Sequence, residues 1–149
     1  MKTAPAFTLL MSVLISSVLL ALGYEIYNLA VKDVALSSSG RESQFAFFAA
    51  DTGIECALWA DSKLDAFATS SDIIELNCGT ATSTLARETV GTDYITTFDV
   101  TTGAGIRTQC TTIVVTREEP KETTIEAYGH NTCNLLDPLR LERAIRVTY

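Results

Sequence analysis

The sequence predicts an α+β protein in which one long N-terminal helix packs, through its second half, on a small antiparallel β-sheet. Residues 7–24 contain no charged side chain, and residues 25–59 continue with helix-compatible spacing and no proline. After residue 70 the chain alternates as β-strands do. We divide the chain into residues 1–6, an apolar helix over 7–36, an amphipathic helix over 37–62 and a β-rich domain over 63–149.

The apolar run over residues 7–24 has the length of a membrane span. Its 18 residues extend about 27 Å as a helix, close to the hydrocarbon thickness of a bilayer. A helix of about 50 residues or more would be roughly 75–80 Å long, more than the remaining chain can cover. Part of it must therefore be buried against something other than its own domain. The Ser-Ser-Ser-Gly sequence at residues 37–40 is compatible either with a short break in the helix or with an unbroken helix that has a polar patch there.

The second half of the helix is amphipathic. Five side chains recur at spacings of three and four, which predicts a core face made of Phe45, Phe48, Thr52, Cys56 and Trp59. The opposite side is marked by charges at Arg41, Asp51, Glu55 and Asp61. This pattern predicts a helix that forms the spine of the domain, with the first set facing the sheet.

The rest of the chain is predicted to form mainly β-structure. A short strand is predicted over residues 73–76, and residues 80–93 are predicted to be a loop with a helical turn. Residues 94–100 alternate clearly, with one face formed by Tyr94, Thr96, Phe98 and Val100. Further strands are predicted over residues 106–116 and 123–128, with a last strand over 143–149 whose arginines point outward.

Four cysteines predict two disulfides. Cys56, Cys78, Cys110 and Cys133 form an even set without a CxxC pair, and an export-type apolar segment precedes them. Three pairings are possible. Joining Cys56 to Cys78 and Cys110 to Cys133 closes two short loops, each worth about 3 kcal/mol, and is the pairing that we favour. Four buried free thiols are the alternative.

Charge and motif content exclude several functions. The net charge is −7 and the basic residues are scattered, which argues against nucleic acid and against docking on an anionic membrane surface. No nucleophile, phosphate-binding or metal-ligand motif occurs, so we predict neither an enzyme nor a bound cofactor. The one histidine, His130, falls in a predicted loop and is expected at the surface.

Three fates are open to the N-terminus. Signal peptidase could cut after Gly23 and release a secreted module that begins at Tyr24. The apolar run could stay as a permanent signal anchor. Alternatively, the chain could be cut between Ala6 and Phe7, which would leave the apolar run on the mature protein.

Two stretches resemble a known family. A short leader followed by Phe7-Thr8-Leu9-Leu10 resembles the class III prepilin signal of type IV pilins and type II secretion pseudopilins. Residues 41–58, with Arg41 before Ala49-Ala50-Asp51-Thr52-Gly53-Ile54-Glu55, resemble the corresponding stretch of PilX-type minor pilins. The resemblance implies a pilin-like fold, a leader over residues 1–6, and cleavage and methylation at Ala6 and Phe7.

One position departs from the family pattern. Where most pilins carry glutamate at the fifth mature residue, this chain has Met11, and the first acid after Phe7 is Glu25. An ammonium buried in an apolar filament core needs a partner, so a neighbouring subunit must supply one or the N-terminus must lie where none is needed. Either case indicates a minor, tip or initiating subunit. The alternative is that this lineage of pilins dispenses with the acid.

The predicted function is therefore structural. The resemblance implies insertion in the cytoplasmic membrane, processing by a prepilin peptidase, and transfer by the pilus assembly machinery into an extracellular filament of pilin subunits. Small residues at a seven-residue spacing, Ser16, Gly23, Ala30 and Ser37, are candidates for close helix packing. The alternative function is a secreted or membrane-anchored, disulfide-stabilised β-rich binding module that does not polymerise.

Overall fold

The structure is a computed structural model that describes residues 5–78, 81–103, 105, 108–118 and 122–149, with Pro5, Ala6 and Ala81 described by their backbone alone. The chain divides into two compact units between Gly40 and Arg41. Its elements, in order, are α1 (Pro5–Leu64), β1 (Glu75–Cys78), β2 (Ala81–Thr84), β3 (Ala86–Val90), β4 (Asp93–Thr102), β5 (Gln109–Glu118), β6 (Glu122–His130) and β7 (Glu142–Thr148). One long apolar helix, antiparallel sheets and two disulfides therefore confirm the α+β layout.

Helix α1 begins and ends where local chemistry allows it. Pro5 is its first described residue, and a proline is tolerated in the first turn of a helix because its missing N–H has no helical partner to lose there. Residues 37–40 are helical, so the short break allowed for them is not present. The helix ends at Leu64, after which Asp65 adopts a left-handed φ of 47° and its N–H donates to the carbonyl of Asp61 at 3.1 Å.

Five strands form the main sheet in the order β3-β4-β5-β6-β7, with every neighbouring pair antiparallel, while β1 and β2 form a separate pair. One face of the main sheet is buried on alternate residues of the three central strands. In β4 this face contains Thr96, Phe98 and Val100, which confirms the alternation read from the sequence.

The prediction of a loop over residues 80–93 was wrong. Within it, Ala81–Thr84 pairs with β1 and Ala86–Val90 pairs with β4. Every residue of β3 is exposed, so this edge strand has no apolar alternation by which it could be recognised. Pairing with β4, rather than burial of its own side chains, makes it a strand.

The predicted core face of the helix was also wrong in part. Phe48 is 59% exposed and Trp59 is 49% exposed, and among the predicted face only Cys56 is buried. The side chains that face the sheet are small, and the buried alanines of this stretch are Ala46, Ala49, Ala50, Ala57 and Ala60. The large core side chains come mainly from the strands, including Phe98, Ile113 and Ile125.

Close approach of the helix to the sheet explains the choice of small residues. A Cβ on Gly129 of β6 would overlap the carbonyl oxygen of Ala46 and the amide nitrogen of Ala50. A Cβ on Gly53 would lie 2.6 Å from Cγ2 of Thr111. The hydroxyl of Thr111 donates to the carbonyl of Ala49 at 2.6 Å, so a buried polar group also joins helix and sheet. Phenylalanine or tryptophan in this seam would force the two layers apart.

The two disulfides join the favoured pairs. Cys56–Cys78 ties α1 to β1, and Cys110–Cys133 ties β5 to the segment after β6. Their Cα atoms lie 6.0 and 5.1 Å apart, and no cysteine is free. The other two pairings and the free-thiol alternative are therefore not what the structure contains.

Candidate functional site

The candidate site is the first part of α1, residues 7–40. Its large apolar side chains are exposed, from 43% at Met11 to 75% at Leu20. Its most apolar window of 18 residues has a mean hydropathy of 2.1, and none of that window is buried. By length and composition this helix could cross a membrane, although an N-terminal signal sequence has the same character.

The predicted processing residues lie at the start of the helix. Phe7 is helical and 64% exposed, and Ala6 is helical with its side chain outside the described atoms. Residues 1–4 of the predicted leader lie outside the described residues. Cleavage between Ala6 and Phe7 remains a prediction.

Met11 lies four residues after Phe7, and its side chain is the least exposed of the large apolar side chains on this segment. The first acid after Phe7 is Glu25, which lies 18 residues beyond Phe7, about 27 Å by helical rise. The carboxylates of α1 are therefore too distant along the helix to pair with an amine at Phe7.

Ser16 and Gly23 lie on one side of the helix, because seven residues bring a helical position back to nearly the same direction. Both are exposed, and a Cβ added to Gly23 would meet nothing within 4 Å. Nothing within the described chain therefore requires glycine at position 23. Any packing role for Ser16 and Gly23 concerns a molecule other than this chain.

Two serines of the segment are adapted to an apolar environment. The hydroxyl of Ser12 donates to the carbonyl of Leu9, and that of Ser17 donates to the carbonyl of Leu14, each at 2.8 Å. Because these hydroxyls are satisfied within the helix, removing them from water costs little. Both serines can therefore be buried in lipid or protein without another partner.

Asp61 does not face outward as its position suggested. Its side chain is 9% exposed, and it lies 3.6 Å from the guanidinium of Arg117 on β5. The hydroxyl of Tyr149 donates to the second carboxylate oxygen at 2.6 Å. Burial, then the hydrogen bond to Asp61, raises the pKa of the Tyr149 hydroxyl well above its ordinary value. This cluster joins the last turns of α1 to β5 and to the residue after β7.

His130 is buried, which contradicts its predicted place at the surface. It is the last residue of β6 rather than part of a loop, and its Nε2 lies 3.6 Å from a carboxylate oxygen of Glu142 on β7. Its Nδ1 has no hydrogen-bond partner within the described residues. Burial, followed by the charge of Arg140, lowers the pKa of His130 despite the opposing effect of Glu142. The sequence around this histidine is polar and rich in turn-forming residues, and it did not indicate that the side chain would be buried.

A small cleft lies beside this region. Its volume is about 230 Å³, and its lining comprises Glu42, Phe45, Gln109, Asn131, Thr132, Asp137 and Leu139. The amide of Asn131 donates to Glu42 and to the carbonyl of Leu139, each at 3.0 Å, and its oxygen accepts from the N–H of Leu141 at 2.7 Å. The buried side chain of Asn131 thus hydrogen-bonds to Glu42 of α1 and to the backbone of Leu139 and Leu141. Among the described residues, no three His, Cys, Asp or Glu side chains are grouped to hold a metal ion.

Comparison with known proteins adds no relative. No protein-family model, no curated protein and no solved structure matches this chain.

Proposed function

We propose that this chain is a structural subunit of a type IV pilus or a related filament and that it assembles through the apolar helix that begins at Phe7. The observation that carries the proposal is the contrast in burial within one helix. Residues 7–40 expose large apolar side chains, whereas residues 41–149 contain a core of their own. Residues 7–40 do not bury these side chains among themselves, and polymerisation would supply a partner for them.

The proposed path begins in the cytoplasmic membrane. The segment over residues 7–24 spans the hydrocarbon before assembly, a prepilin peptidase removes the leader, and the assembly machinery moves the chain into an extracellular pilus. Burial of apolar area, at about 25 cal/mol per Å², keeps the helix out of water in both places. Other pilin subunits are the partners that replace lipid.

The experiment is the intact mass of the mature protein, measured on sheared and purified filaments and on membranes of the same cells. A chain that begins at methylated Phe7 and is present in filaments supports the proposal. A chain that begins at Tyr24 indicates the secreted module, and one that begins at Met1 indicates a signal anchor. Either result, or filaments without this chain, contradicts the proposed function.

We further propose, from the methionine at position 11, that the chain is a minor subunit at a tip or initiating position. Because Met11 cannot pair with the new amino group at Phe7, the chain depends on a neighbour's acid or on a position that needs none. We expect Met11→Glu to allow the chain at more positions, which would raise its abundance along filaments relative to wild type. Quantitative mass spectrometry and immunogold labelling measure this, with Met11→Gln as the uncharged control. Unaltered place and abundance would show that position 11 carries no positional information.

A further inference from the structure

The main sheet ends at β7 with an edge that is open to another strand. β7 pairs with β6 and is last in the order of strands, so within the described residues no strand pairs with its other edge. It is seven residues long, contains no proline and keeps an unbroken register with β6. The unpaired backbone groups of such an edge are a template for an added strand.

Half of the backbone groups of β7 point to this free edge. The N–H of Tyr149 donates to the carbonyl of Thr123 at 3.1 Å, and the N–H of Thr123 donates to the carbonyl of Tyr149 at 2.9 Å. In an antiparallel pair, residues that exchange both bonds alternate with residues that exchange none. Counting back from Tyr149, the odd-numbered residues of β7 bond to β6. The N–H and C=O groups of Ala144, Arg146 and Thr148 therefore point to the free edge.

A groove lies between β7 and α1. Its volume is about 380 Å³, and its lining comprises Ser43, Gln44, Phe47, Phe48 and Arg143. The two phenylalanine side chains are 49% and 59% exposed, and their rings meet edge to face with centroids 6.1 Å apart. Ile145 and Val147 share a face of β7 with Arg143 and are only half-buried. A strand added at the edge would place every second side chain on this same face, beside the groove.

The charges beside the groove favour an acidic strand. Arg143 is exposed and its Nε donates to Ser43 at 2.7 Å, but no carboxylate of the described residues lies within ion-pair distance of its guanidinium. Arg146, on the opposite face of β7, is already paired with Glu126. A carboxylate opposite Arg143 would form a charge-assisted hydrogen bond with a group that has no acidic partner here.

A second copy of β7 does not supply this carboxylate. Glu142 is the one acid among the seven residues of β7, and it shares a face with Ala144 and Arg146. When two such strands pair antiparallel through their outward backbone groups, even-numbered residues lie opposite even-numbered ones. Glu142 of the other copy then lies on the face away from Arg143. The charges therefore favour a strand from a different polypeptide.

We propose that β7 and this groove form a strand-addition site that binds an extended acidic segment of another protein. The segment bonds to the outward backbone groups of β7, places a carboxylate at Arg143 and lays an apolar side chain against Phe47. All of these residues belong to the second unit, so the site does not depend on how residues 7–40 are packed. The inference goes beyond the proposed function and holds whether or not the chain enters filaments.

Amide hydrogen exchange of the full-length protein in detergent measures the backbone pairing. Without a ligand, we expect the N–H groups of Ala144, Arg146 and Thr148 to exchange faster than those of Ile145 and Val147, which bond to β6. The probe is the acetylated and amidated peptide Thr-Val-Thr-Val-Thr-Glu-Thr, whose antiparallel pairing places its glutamate opposite Arg143. At a peptide concentration of about ten times Kd, exchange at the three outward positions should slow about tenfold. The fast-exchanging N–H groups of β3, the opposite edge, should keep their rate.

Three results would overturn the proposal. The first is unchanged exchange at Ala144, Arg146 and Thr148 with about 1 mM peptide, and the second is equal slowing in β3. The third is protection of the three positions without peptide that grows with protein concentration, since this result indicates pairing with a second copy. None of these results bears on whether the chain is a filament subunit, which the mass of the mature protein tests separately.

Charge exchange tests the acidic specificity. We expect Arg143→Glu to weaken binding of a fluorescently labelled form of the peptide at least about fivefold, as measured by anisotropy. The same peptide with lysine in place of its glutamate should bind this variant better than it binds the wild type. Lys63→Glu is the matched control, because it makes the same change of charge at an exposed position of α1 away from the groove. Unchanged binding in Arg143→Glu, or no recovery with the lysine peptide, would contradict the pairing.

Removal of an aromatic ring tests the groove. We expect Phe47→Ala to weaken binding of the peptide about fivefold, because the ring supplies apolar contact to the added strand. Trp59→Ala is the control, since Trp59 is also 49% exposed and lines a different hollow of α1 with Cys56 and Asn77. Its effect should be less than about twofold. Equal effects of the two substitutions would show that the groove does not take part in binding.

Discussion

Two stretches of the same helix handle their apolar side chains in opposite ways. Over residues 7–40 the large ones are exposed, whereas over residues 41–64 the buried side chains are mostly alanines and the two neighbouring phenylalanines Phe47 and Phe48 are exposed. Hydrophobicity therefore does not mark the face of this helix that packs within the chain. The distance of approach marks it, because a backbone that touches a strand leaves room only for small side chains.

The comparison is tested most strongly by adding one methyl group on the strand that packs against the second stretch and one methyl group on the first stretch itself. Gly129→Ala drives a Cβ into the backbone of Ala46 and Ala50, atoms that cannot move aside, and we expect the free energy of unfolding of residues 41–149 to fall by about 4 kcal/mol. Denaturant titration of the full-length protein in detergent, followed by the fluorescence of its single tryptophan, measures the change.

Gly23→Ala is the control for this substitution. Its new Cβ meets no atom within 4 Å, and alanine favours a helix interior by about 1 kcal/mol over glycine. The unfolding transition of residues 41–149 should stay where it is. Equal losses in the two variants would show that close approach is not what separates the two stretches.

A second comparison removes apolar volume instead of adding it. Ile54 is 5% exposed and lies in the core, so Ile54→Ala should lower the free energy of unfolding by about 3 kcal/mol. Leu14 is 52% exposed, and Leu14→Ala should change the same transition by less than about 0.5 kcal/mol. The same titration reports both values. A loss at Leu14 as large as that at Ile54 would mean that residues 7–40 contribute to the stability of the second unit.

The smallest expected effect concerns pH and separates the two units again. His130 belongs to the second unit, and its folded pKa is lowered by burial and by Arg140, with Glu142 and Asp99 acting in the opposite direction. The unfolded chain therefore binds the proton first, and the free energy of unfolding falls as the pH drops below about 6.5. Above that pH the contribution is constant.

His130→Gln, which does not titrate, provides the control for this effect. We expect the denaturation midpoint of the wild type to fall more than that of the variant between pH 7 and pH 5. Comparing the two proteins removes the contribution of the carboxylates that they share. Parallel pH profiles would show that His130 is not the group responsible.

Parts of the fold could be predicted because their signals are local. The alternation of Thr96, Phe98 and Val100 predicted a strand with one buried face, and the spacing of the cysteines favoured the two short loops that the structure closes. The uncharged run after Phe7 predicted a long apolar helix, and its large side chains are exposed. Each of these features depends on residues close to one another in the chain.

Other parts could not be predicted because their cause lies elsewhere in the chain. Residues 86–90 are a strand only because β4 lies beside them. Asp61 looks like a surface acid until Arg117 and Tyr149 are placed next to it, 56 and 88 residues away in sequence. His130 is buried because β7 returns beside the end of β6.

The sequence by itself determined that the chain has two parts. One is an apolar helix too long to be covered by its own domain, and the other is a β-rich part closed by disulfides. Helical rise and side-chain hydrophobicity suffice for that, since both are properties of consecutive residues. The tertiary structure alone decided which side of the helix meets the sheet. That choice follows from the close approach of helix and sheet at Gly53 and Gly129, where the available space, rather than the transfer of side chains from water, selects the residue.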